Sequence, residues 1–234
     1  MPRTLIELFY WPPVSWMSLA TSSDILLLEA CENFQKGSYR NRCHIAGPNG
    51  LQRLSIPLQK GKHQQTPIRE VRIANEEPWQ RAHWRSIRTA YGNAPYFEHY
   101  AAEVAPFFEK NYAFLFDLNL DVVQFLLKKS RWFGSIQLTE VFQKPGSAPQ
   151  DQGVFDARGL IAPNTPTSAD LFVPIPYPQV FSERHGFLPD LSALDVLFCC
   201  GGKGFTYSGS LTFSPERAPD INTGYSPVKP VRAR

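Results

Sequence analysis

The sequence predicts an α/β fold: an N-terminal sheet with a basic hairpin, central helices, then an extended C-terminal segment and a short helix. Three observations predict it. Short apolar runs bounded by turn residues open the chain, an Asn-Gly turn joins two extended stretches, and three segments carry apolar residues at helical spacing. With 234 residues, 43% hydrophobic and 13% aromatic, the chain is long enough to bury a sizeable single core.

The runs at 4–9 (TLIELF) and 25–30 (ILLLEA) read as buried strands of a mixed sheet, with a short helix or loop between them around 14–21. In YRNRCHIAGPNGLQRLSIPL, Pro48-Asn49-Gly50 sits between two extended runs, which is a hairpin signal. Strand alternation puts Arg40, Arg42 and His44 on one face and Tyr39, Asn41, Cys43 and Ile45 on the other. Asn75, followed by Glu76 and Glu77, predicts a capped helix over about 77–91, with Trp79, His83, Ile87 and Tyr91 on one stripe. A second helix opens near Pro95 and carries Phe97, Tyr100, Val104, Phe107 and Phe108, with a kink expected at Pro106. A third, about 113–129, aligns Leu115, Leu118, Val122 and Leu126 and turns Asn119 inward.

Proline and glycine concentrate around 144–170 and in the last thirty residues, so both regions read as loop or tail, and the domain is expected to span 1–202 with a poorly ordered tail over 203–234. FVPIPYPQVF reads as extended, and Ser192 with Asp195 matches a capping box at the head of a helix over SALDVLF.

Charge distribution says more than total charge. The formal charge of +3 is too small for a general nucleic-acid binder. Between Asn33 and Arg69, however, there is no Asp or Glu, while Lys36, Arg40, Arg42, Arg53, Lys60, Lys62 and Arg69 all fall there, a pattern suited to an anionic ligand. The competing reading is a solvated face paired with acids elsewhere in the fold. No apolar run approaches the roughly 20 residues that cross a bilayer, and Pro12-Pro13 interrupts any signal-peptide core, so the expectation is a soluble cytoplasmic protein without membrane insertion. The four cysteines, Cys31, Cys43, Cys199 and Cys200, lack zinc-site spacing; no metal and no cofactor is expected.

Three strings resemble the WbqC-like family: WPPVSW with the strand after it, ENFQKGSYRNRCHI with SIPL, and PYPQVFSERHGFLPDLSALDVLFCCGG. The Trp79–His83 pair and Ala94-Pro95-Tyr96-Phe97-Glu98 are similar to its central helices, so the likeness covers about 4–202. It departs at Asn164, where lysine is common, and at Cys199-Cys200, where a polar pair is usual. The resemblance implies a surface-polysaccharide or O-antigen context and an aminoacyl (glycine) transferase acting on a nucleotide-linked or carrier-linked amino sugar. The donor would be an aminoacyl carrier protein or aminoacyl-tRNA, with no nucleic-acid specificity beyond that. The alternative is a noncatalytic module binding nucleotide sugars or another anionic metabolite.

For the transferase, Arg40 and Arg42 around Asn41, supplemented by Gln35 and Lys36, would hold a phosphate; bracing the hairpin by ion pairs explains the arginines equally. Tyr91, Tyr177, Gln179 and Asp195 complete the ligand-binding set. His83 and Glu98 are the candidate bases, against a core histidine and a helix-terminus acid respectively. Cys43 is a candidate thioester former if its basic neighbours lower its pKa.

Overall fold

A computed structural model of the chain describes residues 2–59, 66–144, 153–163, 172–206 and 209–210. Strands β1 (Arg3–Glu7) and β2 (Ile25–Glu29) pair in parallel, joined through helix α1 (Val14–Thr21). These strands are apolar almost throughout because helices and loops cover both faces of a parallel sheet. Leu26 and Leu28 are fully buried, as is Ile6, and α1 is buried on every side from Val14 to Ala20.

The hairpin β3 (Arg42–Gly47) and β4 (Gly50–Ser55) forms its own antiparallel ladder beside this sheet, turning at Gly50 with φ of +100°. Its first strand starts later than alternation suggested. Tyr39–Asn41 is a 3-10 turn in which the Ser38 hydroxyl accepts from the Arg40 amide, so Arg40 leaves the face of Arg42 and His44 and is buried.

Helices α2 (Trp79–Tyr91), α3 (Phe97–Val104) and α4 (Leu115–Lys129) follow. The expected stripe of α2 is buried at Trp79, His83, Ile87 and Tyr91. Its expected cap does not form: Pro78 precedes the helix, and the Asn75 amide instead donates to the Tyr112 carbonyl at 2.9 Å. Pro106 ends α3 in a 3-10 turn over Ala105–Phe108. Asn119 is buried, as expected, and donates to the Arg40 carbonyl at 2.8 Å.

Strand β5 (Ser135–Leu138) pairs in parallel with β2. The 144–170 stretch is more than the linker that composition suggested. Strand β6 (Val154–Asp156) pairs in parallel with β1 through Arg3–Val154, Thr4–Phe155 and Leu5–Asp156, and Ala157 and Arg158 are buried behind it. The sheet order is therefore β5-β2-β1-β6, which places a topological switch between β1 and β6.

At the C-terminal end, β7 (Val173–Pro174), α5 (Ser182–His185), α6 (Ala193–Cys200) and β8 (Gly209–Ser210) are formed. The presumed tail begins with structure: Gly202–Thr206 is a 3-10 turn that buries Phe205, and β8 pairs with β7. The rest of that tail, Lys60, Lys62 and Asn164 lie outside the described residues. Among the described residues no helix is long and apolar enough to cross a membrane.

Candidate functional site

In open parallel sheets, ligands bind beyond the carboxyl ends of the strands at the switch point. Here three strand ends there are acidic: Glu7 closes β1, Glu29 closes β2 and Asp156 closes β6. Glu32 follows two residues into the loop after Ala30, and two buried arginines thread this acidic set.

Arg40 donates from Nε to Glu32 Oε1 at 2.6 Å, and from Nη2 to Glu32 Oε2 at 2.5 Å and Glu7 Oε1 at 3.3 Å. Arg158 donates from Nε and Nη2 to the two oxygens of Asp156 at 2.9 and 2.7 Å, and from Nη1 to Glu29 Oε2 at 2.5 Å. Glu29 Oε1 also accepts from the Thr139 hydroxyl at 2.6 Å and the Cys31 amide at 2.9 Å, while Glu7 Oε1 accepts from the Gly159 amide at 2.7 Å.

Four carboxylates thus face two guanidiniums, and that imbalance sits in a desolvated place. Burial pushes the Glu7 carboxyl above its ordinary range, opposed by Arg40, the backbone amides and Arg158. It pushes Glu32 up as well, against the pull of Arg40 and with a further push from Glu7 and Glu29. Arg40 is held firmly charged, because the pull of the two glutamates outweighs the desolvation that would lower it.

Around the same turn several buried polar atoms have no hydrogen-bond partner among the described residues: Glu7 Oε2, Asn41 Oδ1, Arg42 Nε and Asn119 Oδ1. The other halves of both amides are committed, Asn41 Nδ2 to the Ile56 carbonyl and Asn119 Nδ2 to that of Arg40. Buried polar groups are nearly always paired, and each orphan costs about 1–3 kcal/mol.

The hairpin supplies the positive side. His44 pairs across the ladder with Arg53, and Arg42 lies two residues from His44, so the three share one face. Burial, then the neighbouring Arg53, lowers the Arg42 pKa; burial, then Arg42 and Arg53, lowers that of His44. This face joins the carboxylate cluster through rings, since the Arg40 guanidinium lies 5.9 Å from the Phe9 centroid, Phe9 packs on Tyr39 and Tyr39 packs on His44. Gln35 and Lys36 are exposed just upstream, and the Gln35 carbonyl accepts from the Ser38 hydroxyl.

The remaining expected ligand residues gather elsewhere. Ser192 caps α6, accepting from the Leu194 amide at 3.3 Å, but Asp195 does not complete a capping box: its side chain turns inward, fully buried, and accepts from Gln179 Nε2 at 3.1 Å. The Ser192 amide donates to the His44 carbonyl instead. The Tyr177 and Tyr91 hydroxyls lie beside Asp195 and help offset its desolvation, which nevertheless raises the carboxyl to about 6. Tyr91 accepts from the Ala46 amide at 3.1 Å. Tyr91, Tyr177, Gln179 and Asp195 therefore form one buried cluster that braces α6 against α2 and the hairpin.

His83 is wedged between Tyr10 and Trp79, with Nδ1 2.9 Å from the Tyr10 hydroxyl and Nε2 3.2 Å from the Ser55 carbonyl. The carbonyl can only accept, which assigns the proton to Nε2 and makes Nδ1 the acceptor. Burial pushes the ring down to about 4, so it is neutral at pH 7 with both nitrogens engaged. Glu98 is exposed in the first turn of α3. Cys43 is fully buried, and burial drives its thiol upward rather than toward the thiolate.

Sequence reasoning missed Glu7, Glu29, Glu32, Asp156 and Arg158. A signal existed for two of them: TLIE and ILLLE each end an apolar strand on a lone acid.

The sequence profile of the WbqC-like protein family matches residues 9–134, which takes in Glu29, Glu32, the Tyr39–Arg42 turn and Asn119. A curated relative, the uncharacterized protein Rv1507c of Mycobacterium tuberculosis, is 31% identical over 105 residues, a stretch covering 44% of this chain and 45% of that protein. The chain thus spans about half the length of that relative. No solved structure matches.

Two outcomes follow for stability. Arg40→Met leaves Glu7 and Glu32 buried without their counter-charge and should cost about 3–5 kcal/mol in urea denaturation, much of it restored by adding Glu32→Gln. Asp195 has a folded pKa raised to about 6 from 3.8, so its contribution is full below pH 3.8 and is lost as pH rises through 6. Asp195→Asn should therefore be more stable than the parent at pH 7.5, by up to about 3 kcal/mol, and the gain should vanish near pH 4.

Proposed function

The chain belongs to the WbqC-like protein family, and from that premise we propose that it holds a phosphorylated amino sugar at the carboxyl end of its parallel sheet and transfers an aminoacyl group, glycine in the first instance, to the sugar nitrogen. The observation that carries this reading is the set of orphaned buried polar atoms on Glu7, Asn41, Arg42 and Asn119, gathered about one turn at the sheet's switch point.

The two sides of the site suit the two ends of such a ligand. Carboxylates in excess of guanidiniums favour the ammonium and hydroxyl groups of an amino sugar, and Glu7 still has Oε2 to offer. Arg42 and Arg53, neither of which forms an ion pair among the described residues, favour its phosphate or diphosphate.

Glu7 takes the base role that His83 and Glu98 do not fill. Its raised pKa brings it closer to that of the ammonium it must deprotonate. The sugar nitrogen then forms a bond to the donor carbonyl carbon. The carbon–oxygen bond of an aminoacyl-tRNA, or the carbon–sulfur bond of a carrier thioester, breaks; of the two protons the ammonium loses on becoming an amide, the one held by Glu7 passes to the departing oxygen or sulfur and the other, shed from nitrogen after attack, goes to solvent. A binding module without turnover is the second reading, favoured by the fact that Glu29, Glu32 and Asp156 are all tied to arginines, which leaves Glu7 as the single less-engaged acid of the four.

Titration with nucleotide-linked 3- and 4-amino-deoxy sugars, read by thermal denaturation, should raise Tm, with about 2.7 kcal/mol of stabilisation at a hundredfold excess over Kd. Arg42→Ala should weaken that binding about tenfold or more. Glu7→Gln should keep binding within a few-fold and lower glycyl transfer by roughly 10²–10⁴. Absence of any shift would remove the ligand class; full turnover in Glu7→Gln would remove the mechanism; binding without turnover in the parent protein would leave the module.

A further inference from the structure

A second recess lies at the opposite edge of the sheet, at the amino ends of β2 and β5. Its volume is about 870 Å³, and it is bounded by the end of α1, the first residues of those strands and the loop Ser130–Gly134 that leaves α4. No residue of the site described above lines it.

Its floor is made of hydroxyl groups whose donor protons are already used. Ser18 donates to the Val14 carbonyl at 3.1 Å, Thr21 to Met17 at 2.8 Å and Ser22, which caps α1, to Ser18 at 2.7 Å. Each oxygen keeps a lone pair, so the floor presents acceptors. The exposed carboxylate of Asp24 adds two more.

Its wall is aromatic and firmly built. The Trp132 indole donates to the Ser23 carbonyl at 2.6 Å, which fixes the ring. Gly134 lies so close to that ring and to the Asp24 carbonyl that a Cβ would fall 2.1–2.6 Å from them. Arg131 sits at φ of +59°, a left-handed conformation uncommon for a residue other than glycine. The consequence of this tight loop is that Phe133 stands 97% exposed at the rim, the least buried of the large apolar side chains among the described residues.

Hydroxyl back-bonding at a helix end is an ordinary structural habit and accounts for the serines by themselves. It does not account for a tight loop, left-handed at Arg131, that holds a phenylalanine in water beside them. A ligand fitting both features is rich in hydrogen-bond donors along its edge, has an apolar C–H face to lie on a ring, and carries no net charge, since Asp24 and Arg131 line the same recess with opposite signs.

We infer that this recess is a second ligand site that takes the ring of a neutral oligosaccharide, stacked on Phe133 against Trp132, with its hydroxyls donating to the Asp24 carboxylate and the oxygens of Thr21 and Ser22. The inference is independent of the reading given to the carboxyl end of the sheet.

The test is an ¹⁵N-correlated NMR titration of the full chain with maltohexaose, chitohexaose and mannohexaose, following the Trp132 indole N–H assigned through Trp132→Phe. The expected result is a saturable shift of that signal with at least one of the three, at a Kd of about 1 mM or tighter. Phe133→Ala, at a site too exposed to affect folding, should weaken it about tenfold, and Arg42→Ala should leave it unchanged. No shift with any of the three at roughly 10 mM would overturn the proposal. So would a shift indifferent to Phe133→Ala, or one lost in Arg42→Ala, which would move the sugar to the other end of the sheet.

Discussion

The guanidinium of Arg40 is the constraint on which the rest depends. It is 2% exposed and joins three separate parts of the chain: Glu7 at the end of β1, Glu32 after β2, and the turn that launches the hairpin. Its own carbonyl receives Asn119 from α4, and the next residue, Asn41, is bonded through both backbone and side chain to Ile56 beyond β4. Leaving a buried charge without its partner costs several kcal/mol, so the sheet, the hairpin and α4 have one arrangement that satisfies this group. Arg158 repeats the device on the other side of the switch point, between Asp156 and Glu29.

An ion network of this kind adds little net stability compared with apolar residues of similar volume; its use lies in specifying geometry. Here it holds carboxylates of successive strands at defined positions with more negative than positive charge among them. Burial raises the Glu7 and Glu32 carboxyls, Glu7 and Glu29 add to the push on Glu32, and Glu7 Oε2 is left without a partner among the described residues. Structure and chemistry thus meet in the same residues. Arg40 braces the fold through ion pairs, as one of its two readings held, whereas Arg42, two residues on, lies on the open basic face. The Asp195 cluster differs in kind: Gln179 ties α6 inward through Asp195, whose carboxylate is costly to keep charged at neutral pH.

Where a signal was local and periodic, the sequence was legible. The apolar runs at 4–9 and 25–30 became β1 and β2, the Asn49-Gly50 turn became the hairpin, and the four-residue stripe from Trp79 to Tyr91 became the buried side of α2. Features set by distant partners were not. Strand β6 is three residues long between Pro/Gly/Ser-rich flanks, and its pairing with β1 rather than its own pattern defines it. Asp195 follows Ser192 at capping-box spacing, yet Gln179 claims the carboxylate. Likewise the acid-free stretch from Asn33 to Arg69 hid that Arg40 has acidic partners from before it, at Glu7 and Glu32. The basic face at Arg42, His44 and Arg53 was legible, and its acidic counterpart at the strand ends was not.

The most direct measurement of the central claim is a crystal structure of the protein with a nucleotide-linked amino sugar. The account predicts the sugar at the carboxyl ends of β1 and β6, its nitrogen within hydrogen-bond distance of Glu7 Oε2 and its phosphates against Arg42. Electron density for the ligand at any other place, with Glu7 and Arg42 untouched, would contradict it.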